Sequence, residues 1–204
     1  LNKIGFINSA AIRYSEVQLD GNIHLIGTQG VGKSTILRAI LFFYNADTQR
    51  LGIPVEKKSY QDYYFPYADS SIIYEVARED GWFTVLSYKT MNRICYRFIA
   101  SPYRPDLFID EEGAPYPSDR IRSVLDKNGI KYSGAISTYE EYRNILYGNS
   151  DNKRDYSCYS LMESGSYQNI IRTIQNVLLN SRLEADYIKQ TIITSLNEAD
   201  SVID

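Results

Sequence analysis

Apolar and polar residues alternate along the first part of the chain in the pattern typical of β-strands. The alternation runs over residues 2–8 and again over residues 12–19, before a polar turn at Asp20-Gly21-Asn22. A short apolar run, Ile23-His24-Leu25-Ile26, predicts a third, buried strand. Residues 35–43 then carry apolar side chains at helical spacing. The pattern therefore predicts three strands followed by a helix.

A block of short strands comes next, after a polar and irregular stretch at residues 45–62 that predicts a loop. The predicted strands are Ser71–Arg78, Trp82–Lys89, Ile94–Ala100 and Leu107–Asp110. Short polar turns separate them, and such spacing favours an antiparallel meander. The second part of the chain is therefore expected to be an antiparallel β block.

Helical patterns dominate from residue 118 onward. They predict a helix over Ser118–Asn128, with Ser118 as N-cap and Gly129 as the stop signal. A short strand at Tyr132–Ile136 leads to a second helix at Thr138–Tyr147. A polar loop (residues 148–155) separates these from a long amphipathic helical region over residues 167–196.

Composition excludes several functional classes. The net charge of −3 argues against a globally basic nucleic-acid binder, and 204 residues suffice for a core. Cys95 and Cys158 are isolated and are expected to be free, buried thiols, while the single histidine, His24, is interpreted as structural. The 19 tyrosines are interpreted as packing residues.

No membrane span or secretory segment is predicted, so we expect a cytoplasmic protein. A first residue other than Met suggests excision from a longer product.

The most specific feature is a complete phosphate-binding loop between the third strand and the first helix. The loop sequence is Gly27-Thr28-Gln29-Gly30-Val31-Gly32-Lys33-Ser34, which fits the Walker A pattern. A strand, a glycine-rich loop and a helix form the context that this motif needs. The sequence therefore predicts a nucleoside triphosphate site here.

The residue types explain how such a loop would hold a triphosphate. Glycines let successive backbone N–H groups point into one hollow, and the helix N-terminus adds partial positive charge. Lys33 is expected to reach the β- and γ-phosphates, Ser34 Oγ to ligate Mg²⁺, and Thr35 to add a phosphate hydrogen bond. The predicted nucleotide-binding residues are Gly27, Thr28, Gln29, Gly30, Val31, Gly32, Lys33, Ser34 and Thr35.

Two further segments resemble ATPase motifs without matching their context. Leu107-Phe108-Ile109-Asp110-Glu111-Glu112 looks like a Walker B strand, but it follows Pro105 and precedes a glycine turn, so a hairpin is the favoured interpretation. Ser164-Gly165-Ser166-Tyr167-Gln168 echoes the ABC signature, yet no apolar strand with a terminal acid follows it. Neither segment is predicted to be catalytic, and no catalytic residue is assigned in this chain.

The motifs leave two alternatives open: a non-hydrolysing binding or scaffold module whose nucleotide is structural, and a GTP-binding switch. Asp110-Glu111-Glu112-Gly113 fits D-x-x-G, and Asn152-Lys153-Arg154-Asp155 fits N-K-x-D. In this hypothesis Asp110 and Asp155 are the working residues. The second motif follows a polar loop instead of a buried strand, and its spacing from the first is short for a GTPase.

The first 45 residues resemble the N-terminal lobe of SMC-like ABC ATPase heads. The resemblance rests on two meandering strands before the Walker A segment and on Thr35-Ile36-Leu37-Arg38-Ala39-Ile40 after it. Where the family usually carries Pro-Asn, this chain has Thr28-Gln29. Leu107-Phe108-Ile109-Asp110 looks like part of the family's β-subdomain. The segment 183–193 is similar to the helix that leads towards the coiled coil, most like the Wadjet/MukB-like branch.

The resemblance implies an α/β fold of the P-loop NTPase class: an ABC-type head lobe with a mixed sheet, an antiparallel β-subdomain and C-terminal helices. Residues 1–204 would be one lobe, made of strands, loop and first helix (1–50), the β block (70–117) and a mainly helical part (118–204). It implies Arg13 and Gln168 as possible nucleotide contacts. Arg50 is in the loop after the first helix, and ordinary surface arginines are the alternative interpretation of both Arg13 and Arg50. Gln168 is the first candidate for the glutamine that senses Mg²⁺, with Gln61 and Gln175 behind it.

The resemblance also implies partners and an incomplete catalytic unit. The signature and Walker B motifs of such ATPases come from a C-terminal lobe of the same protein, and hydrolysis needs a second head, which predicts a homodimer. ATP and Mg²⁺ are the expected ligands, DNA the expected substrate of the whole machine, and accessory subunits possible partners, with no membrane. The expected setting is chromosome maintenance, repair, or plasmid and phage defence. This chain alone is expected to bind ATP with negligible turnover.

Overall fold

The computed structural model describes residues 1–19, 24–26, 33–45, 59–148 and 156–161. The chain divides into two compact units, each of two segments. The first unit comprises Leu1–Gly30 with Tyr60–Thr138, and the second comprises Val31–Ser59 with Tyr139–Asp204. Among the described helices, none is long and apolar enough to cross a membrane.

The first unit is built on a six-stranded sheet in the order β3-β2-β1-β4-β5-β6. The strands are β1 (Lys3–Ser9), β2 (Ile12–Gln18), β3 (His24–Ile26), β4 (Ser71–Arg78), β5 (Gly81–Thr90) and β6 (Arg93–Ile99). These bounds confirm six of the predicted strands. Every pair of neighbouring strands in this described sheet is antiparallel, so the mixed sheet of the predicted fold class stays a prediction.

Both faces of the sheet are covered, because the residues of β4, β5 and β6 are buried almost without interruption. One face carries Tyr74 and Tyr96, next to a short helix, α2 (Tyr60–Tyr64). Tyr60 stacks on Tyr64 in that helix with ring centroids 4.3 Å apart. Residues 45–62 were predicted to be a loop throughout. That prediction is wrong from Tyr60 onward, where α2 begins.

The other face packs against α3 (Ser118–Lys127). We call the buried residues between them the α3-side core. Its members are Ile7, Ile73, Leu86, Tyr88, Cys95, Ile99, Tyr103, Leu107, Phe108, Ile121 and Leu125. The predicted helix is confirmed, but Pro117 and not Ser118 is its N-cap residue. Gly129 ends it at φ +65°, as predicted, because a left-handed residue there costs little only for glycine.

The predicted strand Leu107–Asp110 is wrong. A 3₁₀ turn occupies Pro105–Leu107, and Ile109 forms only a single bridge with Pro115. The hairpin interpretation of this segment is confirmed, since the Asp110 amide donates to the Ala114 carbonyl over 2.9 Å. The short strand predicted at residues 132–136 is likewise reduced to two single bridges, from Tyr132 and Ile136 to β6.

The second unit contains α1 (Lys33–Asn45) and α4 (Tyr139–Leu146). Both helices were predicted. The predicted range of α1, 35–43, is two residues too short at each end, and that of α4, 138–147, is one residue too long at each end. The predicted helical region 167–196 lies outside the described residues. Of the two cysteines, both are free, Cys95 is buried as expected, and Cys158 is exposed, contrary to the prediction.

The β1–β2 hairpin contains a strained turn that yields a stability prediction. Ala10 and Ala11 connect the paired residues Ser9 and Ile12, and their φ angles are +50° and +63°. Such two-residue turns prefer Asn-Gly, because left-handed φ costs alanine about 1 kcal/mol or more. Ala11 is exposed. We expect Ala11→Gly to raise the free energy of unfolding by about 0.5–1 kcal/mol, measured by urea denaturation.

Ala77→Gly is the matched control for this turn. Ala77 is exposed in the regular strand β4, where glycine only adds conformational freedom to the unfolded chain. That substitution should lower the free energy of unfolding by about 0.5–1 kcal/mol. Equal destabilisation by the two glycine variants would contradict the interpretation that the Ala10-Ala11 turn is strained.

Candidate nucleotide-binding site

The Walker A sequence lies between two elements that the structure describes. Strand β3 ends at Ile26, directly before Gly27, and its backbone pairs with β2 through Glu16 and Val17. Helix α1 begins at Lys33. The predicted strand and helix on either side of the motif are therefore confirmed as elements. Six motif residues, Gly27, Thr28, Gln29, Gly30, Val31 and Gly32, lie outside the described residues.

The first turn of α1 carries the last residues of the motif. For Lys33 and Ser34 the structure describes helical backbone alone, while the side chain of Thr35 is buried. The first four backbone N–H groups of any helix lack an intrahelical acceptor, and the helix dipole adds positive potential there. No acidic residue lies in α1, whose sequence carries Lys33 and Arg38 as its charged residues. An anion at this helix start would meet no carboxylate of the helix itself.

Helix α1 is a core helix rather than an amphipathic surface helix. Its buried side chains are Thr35, Ile36, Ala39, Ile40, Leu41, Phe42, Phe43 and Tyr44. Six of them are consecutive, so all faces of its second half are covered. Burial raises the pKa of the Tyr44 hydroxyl well above its ordinary value. A helix packed in this way holds its backbone in a fixed position, which is what a preorganised phosphate site requires.

Two tyrosine hydroxyls anchor the C-terminal end of α1. Tyr142, in α4, donates to the Phe43 carbonyl over 2.6 Å, and Tyr147 donates to the Tyr44 carbonyl over 2.5 Å. These two carbonyls belong to the last turn of α1, where no later amide of the helix can reach them. The Phe42 ring also meets Tyr139 edge-to-face, with centroids 6.5 Å apart. Residues of α4 and its end therefore satisfy two of the carbonyls in the last turn of α1.

The anchoring tyrosines are structural residues of α1 that sequence reasoning missed. A buried tyrosine usually finds a hydrogen-bond partner, so the residue type was a signal for some contact. Neither spacing nor periodicity indicated which carbonyls the hydroxyls of Tyr142 and Tyr147 would reach, because α1 and α4 are about a hundred residues apart in the chain.

The remaining candidate residues are only partly described. Arg13 is exposed on β2 and Gln61 is half-buried in α2, and neither is tested as a nucleotide contact. Gln168, Gln175 and Arg50 lie outside the described residues, as does the segment 164–168. Asp155, the second residue of the GTPase hypothesis, also lies outside them.

The carboxylate of Asp110 already has local partners. Its Oδ1 accepts hydrogen bonds from the Glu112 amide over 2.9 Å and the Ala114 amide over 2.8 Å. Gly113 in the same turn has φ +81°. These bonds are those of an Asx-type turn, in which an aspartate stabilises its own loop. This arrangement accounts for Asp110 and Gly113 without a metal or a nucleotide.

Comparison with known proteins places the chain in one family. Neither the curated proteins nor the solved structures contain a match to it. One family model matches residues 11–204, and its description is "protein of unknown function". Because the match spans nearly the whole chain, the protein belongs to the family DUF3584.

Proposed function

We propose that this chain binds ATP with Mg²⁺ and is the N-terminal lobe of an SMC-like ABC ATPase head. The observation that carries the proposal is the complete Walker A sequence between β3 and α1, with Lys33 as the first residue of the helix. The motif residues have the types that phosphate binding needs, and the elements beside it have the types that the motif requires. A buried helix without acidic residues further supports an anion at its start.

The chain's own residues would divide the work in a simple way. Backbone N–H groups of the glycine-rich loop and of the first turn of α1 bind phosphate oxygens. Lys33 neutralises the β- and γ-phosphates, and Ser34 Oγ is the protein ligand of Mg²⁺. Thr35 lies next to them at the start of the buried part of the helix. Mg²⁺ would supply charge neutralisation of the triphosphate.

Hydrolysis is proposed to need parts that this chain does not provide. By its resemblance to SMC-like heads, a C-terminal lobe brings the signature and Walker B motifs, and a second head completes the site. The same resemblance is the basis for proposing DNA as the substrate of the whole machine, because the net charge of −3 gives no independent support. The Asp110 hairpin argues against an internal Walker B carboxylate, since its Oδ1 is bound to loop amides.

Nucleotide-dependent thermal unfolding tests the proposal. With Mg²⁺ present, ATP at 100 times its dissociation constant should stabilise the protein by about 2.7 kcal/mol. For a chain of this size this corresponds to a rise in unfolding temperature of about 5–10 °C. GTP at the same concentration should raise it by less, and omitting Mg²⁺ should weaken the effect of ATP.

The outcome also separates the two nucleotide hypotheses. A larger shift with GTP than with ATP would exclude the ATPase lobe and favour a GTP switch that uses Asp110 and Asp155. In that case Asp110→Asn should reduce the GTP shift. In the ATPase proposal the same substitution leaves the ATP shift unchanged, because Asp110 only stabilises its own hairpin.

A further inference from the structure

One tyrosine spans three neighbouring strands of the first unit. Tyr103 follows β6 in the chain and belongs to the α3-side core. Its backbone N–H donates to the carboxylate of Glu75, in β4, over 2.6 Å, and its hydroxyl lies 2.9 Å from the hydroxyl of Tyr14, in β2. Strand β1 runs between β2 and β4. Tyr103 therefore links β2 to β4 across β1.

A glycine in β1 makes room for this crossing. A Cβ atom at Gly5 would lie 2.9 Å from the Tyr103 hydroxyl oxygen and 3.1 Å and 3.2 Å from two carbons of its ring. The Tyr103 ring is also stacked on Phe108, with centroids 5.9 Å apart and 11° between the planes. Any larger residue at position 5 would therefore push the tyrosine ring away from β1.

The Tyr103 hydroxyl begins a chain of hydrogen bonds along β2. Tyr14 donates its one hydroxyl hydrogen to the carboxylate of Glu16 over 2.5 Å, so Tyr103 donates to Tyr14. Burial raises the pKa of both phenols, which keeps both hydroxyls protonated. The Lys3 ammonium lies 4.0 Å from the Glu16 carboxylate and 5.8 Å from the centre of the Tyr103 ring. We call Tyr103, Tyr14 and Glu16 the tyrosine–glutamate network.

Glu16 connects this network to the strand that precedes the Walker A motif. Its backbone pairs with Ile26, the last residue of β3, and Gly27 follows directly. In the described sheet β3 pairs with β2 alone, through the three residues His24–Ile26. A ladder this short opens at a low cost in free energy. The position of β3 therefore depends on how firmly β2 is held.

We propose that Tyr103 is a positioning residue for the nucleotide, acting through Tyr14 and Glu16 on the end of β3. The inference rests on the proposed function, because it assigns a role at the same Walker A site. Binding groups are effective only when the surrounding residues hold them in the productive geometry. The network fixes β2 against β4 and thereby fixes the residue from which the glycine-rich loop starts. Tyr103 itself needs no contact with nucleotide or metal.

Tyr103→Phe tests this role, because it removes the hydroxyl and keeps the ring. With Mg²⁺ present, the ATP dissociation constant should rise about two- to thirtyfold. It would be measured by titration calorimetry at a temperature where the variant is fully folded, so that a loss of stability alone does not change it. As a readout without nucleotide, hydrogen exchange of the β3 backbone amides should become faster relative to that of the β5 and β6 amides.

Tyr132→Phe is the matched control. Its hydroxyl also donates to a carboxylate, that of Asp126, over 2.8 Å. Tyr132 forms a bridge with β6, which lies at the opposite edge of the described sheet from β3. This variant should keep the wild-type ATP dissociation constant and the wild-type exchange of β3. Equal changes in the Tyr103 and Tyr132 variants would contradict a specific role of Tyr103.

Gly5→Ala disturbs the same network without removing a hydroxyl. The added methyl group should displace the Tyr103 ring and weaken ATP binding in the same direction as Tyr103→Phe. If this variant does not fold, Tyr103→Phe still decides the question. A folded Gly5→Ala variant with wild-type ATP binding would count against the proposal.

The two readouts separate failure of this inference from failure of the proposed function. A wild-type chain that binds ATP, together with an unchanged dissociation constant in Tyr103→Phe, would overturn the positioning role and leave the proposed function standing. A wild-type chain that does not bind ATP would overturn the proposed function and with it the nucleotide role of Tyr103. Faster exchange of β3 in Tyr103→Phe would then still support the link from Tyr103 to β3.

Discussion

Lys33→Ala is expected to abolish the stabilisation of the protein by ATP and Mg²⁺. The variant should lose the whole nucleotide-dependent rise of about 5–10 °C that is expected for the wild-type chain at 100 times the dissociation constant. The physical reason is that the triphosphate carries several negative charges, and the motif has one lysine to neutralise them. Thermal unfolding with and without nucleotide measures the effect directly.

Lys127→Ala provides the matched control for this experiment. Lys127 is exposed in the last turn of α3, so its removal changes the net charge equally without touching the motif. Its ATP-dependent shift should equal that of the wild type. An unchanged shift in Lys33→Ala would contradict the proposed site. A lower unfolding temperature of that variant without nucleotide would point to a folding defect, which urea denaturation would measure separately.

Local patterns predicted most of the described sheet. Alternation located β1 and β2, and the bounds of β4, β5 and β6 were predicted within about one residue because short polar turns separate them. Strand pairing was predicted only as an antiparallel meander. The contact between β1 and β4, which joins the hairpin to the meander, brings together segments about seventy residues apart, and no local pattern encodes it.

The errors arise where burial and hydrogen bonding disagree with the apolar pattern. Leu107 and Phe108 are buried in the α3-side core, but none of the described strands pairs with them, and a 3₁₀ turn over Pro105–Leu107 replaces the predicted strand start. The opposite occurred at α2, where a polar-looking sequence forms a helix because Tyr60 and Tyr64 pack into the sheet. Tertiary packing overrode the local preference in both segments.

The burial of charged residues could not be predicted from the sequence pattern either. Glu75 and Arg97 both lie inside strands, at positions where alternation predicts apolar residues. Glu75 is stabilised by the Asn2 amide group and the backbone N–H of Tyr103, each over 2.6 Å, and these donors are far from it in the chain. The Walker A motif differs because its specificity is contained in eight consecutive residues.

Removing the hydroxyls that anchor α1 is expected to have the largest effect on stability. Tyr142→Phe and Tyr147→Phe would each leave a carbonyl of the last turn of α1 buried without its hydrogen bond. An unsatisfied buried acceptor costs about 1–3 kcal/mol, so the double variant should lose about 2–6 kcal/mol of unfolding free energy. Single domains are stable by only about 5–15 kcal/mol, and the double variant would therefore be close to unfolding. Urea denaturation of the single and double variants measures the loss.

Tyr67→Phe is the control. Because Tyr67 is 63% exposed, removing its hydroxyl should change the unfolding free energy by less than about 0.5 kcal/mol.

The single variants, which keep more stability, also test whether the anchor contributes to the proposed phosphate site. Because the anchor is at the opposite end of α1 from Lys33, a nucleotide at the proposed site is not expected to touch either tyrosine directly. Weaker ATP binding in Tyr142→Phe, measured at a temperature where it is fully folded, would mean that a fixed helix is part of the site. Unchanged ATP binding would assign the two hydroxyls to folding alone.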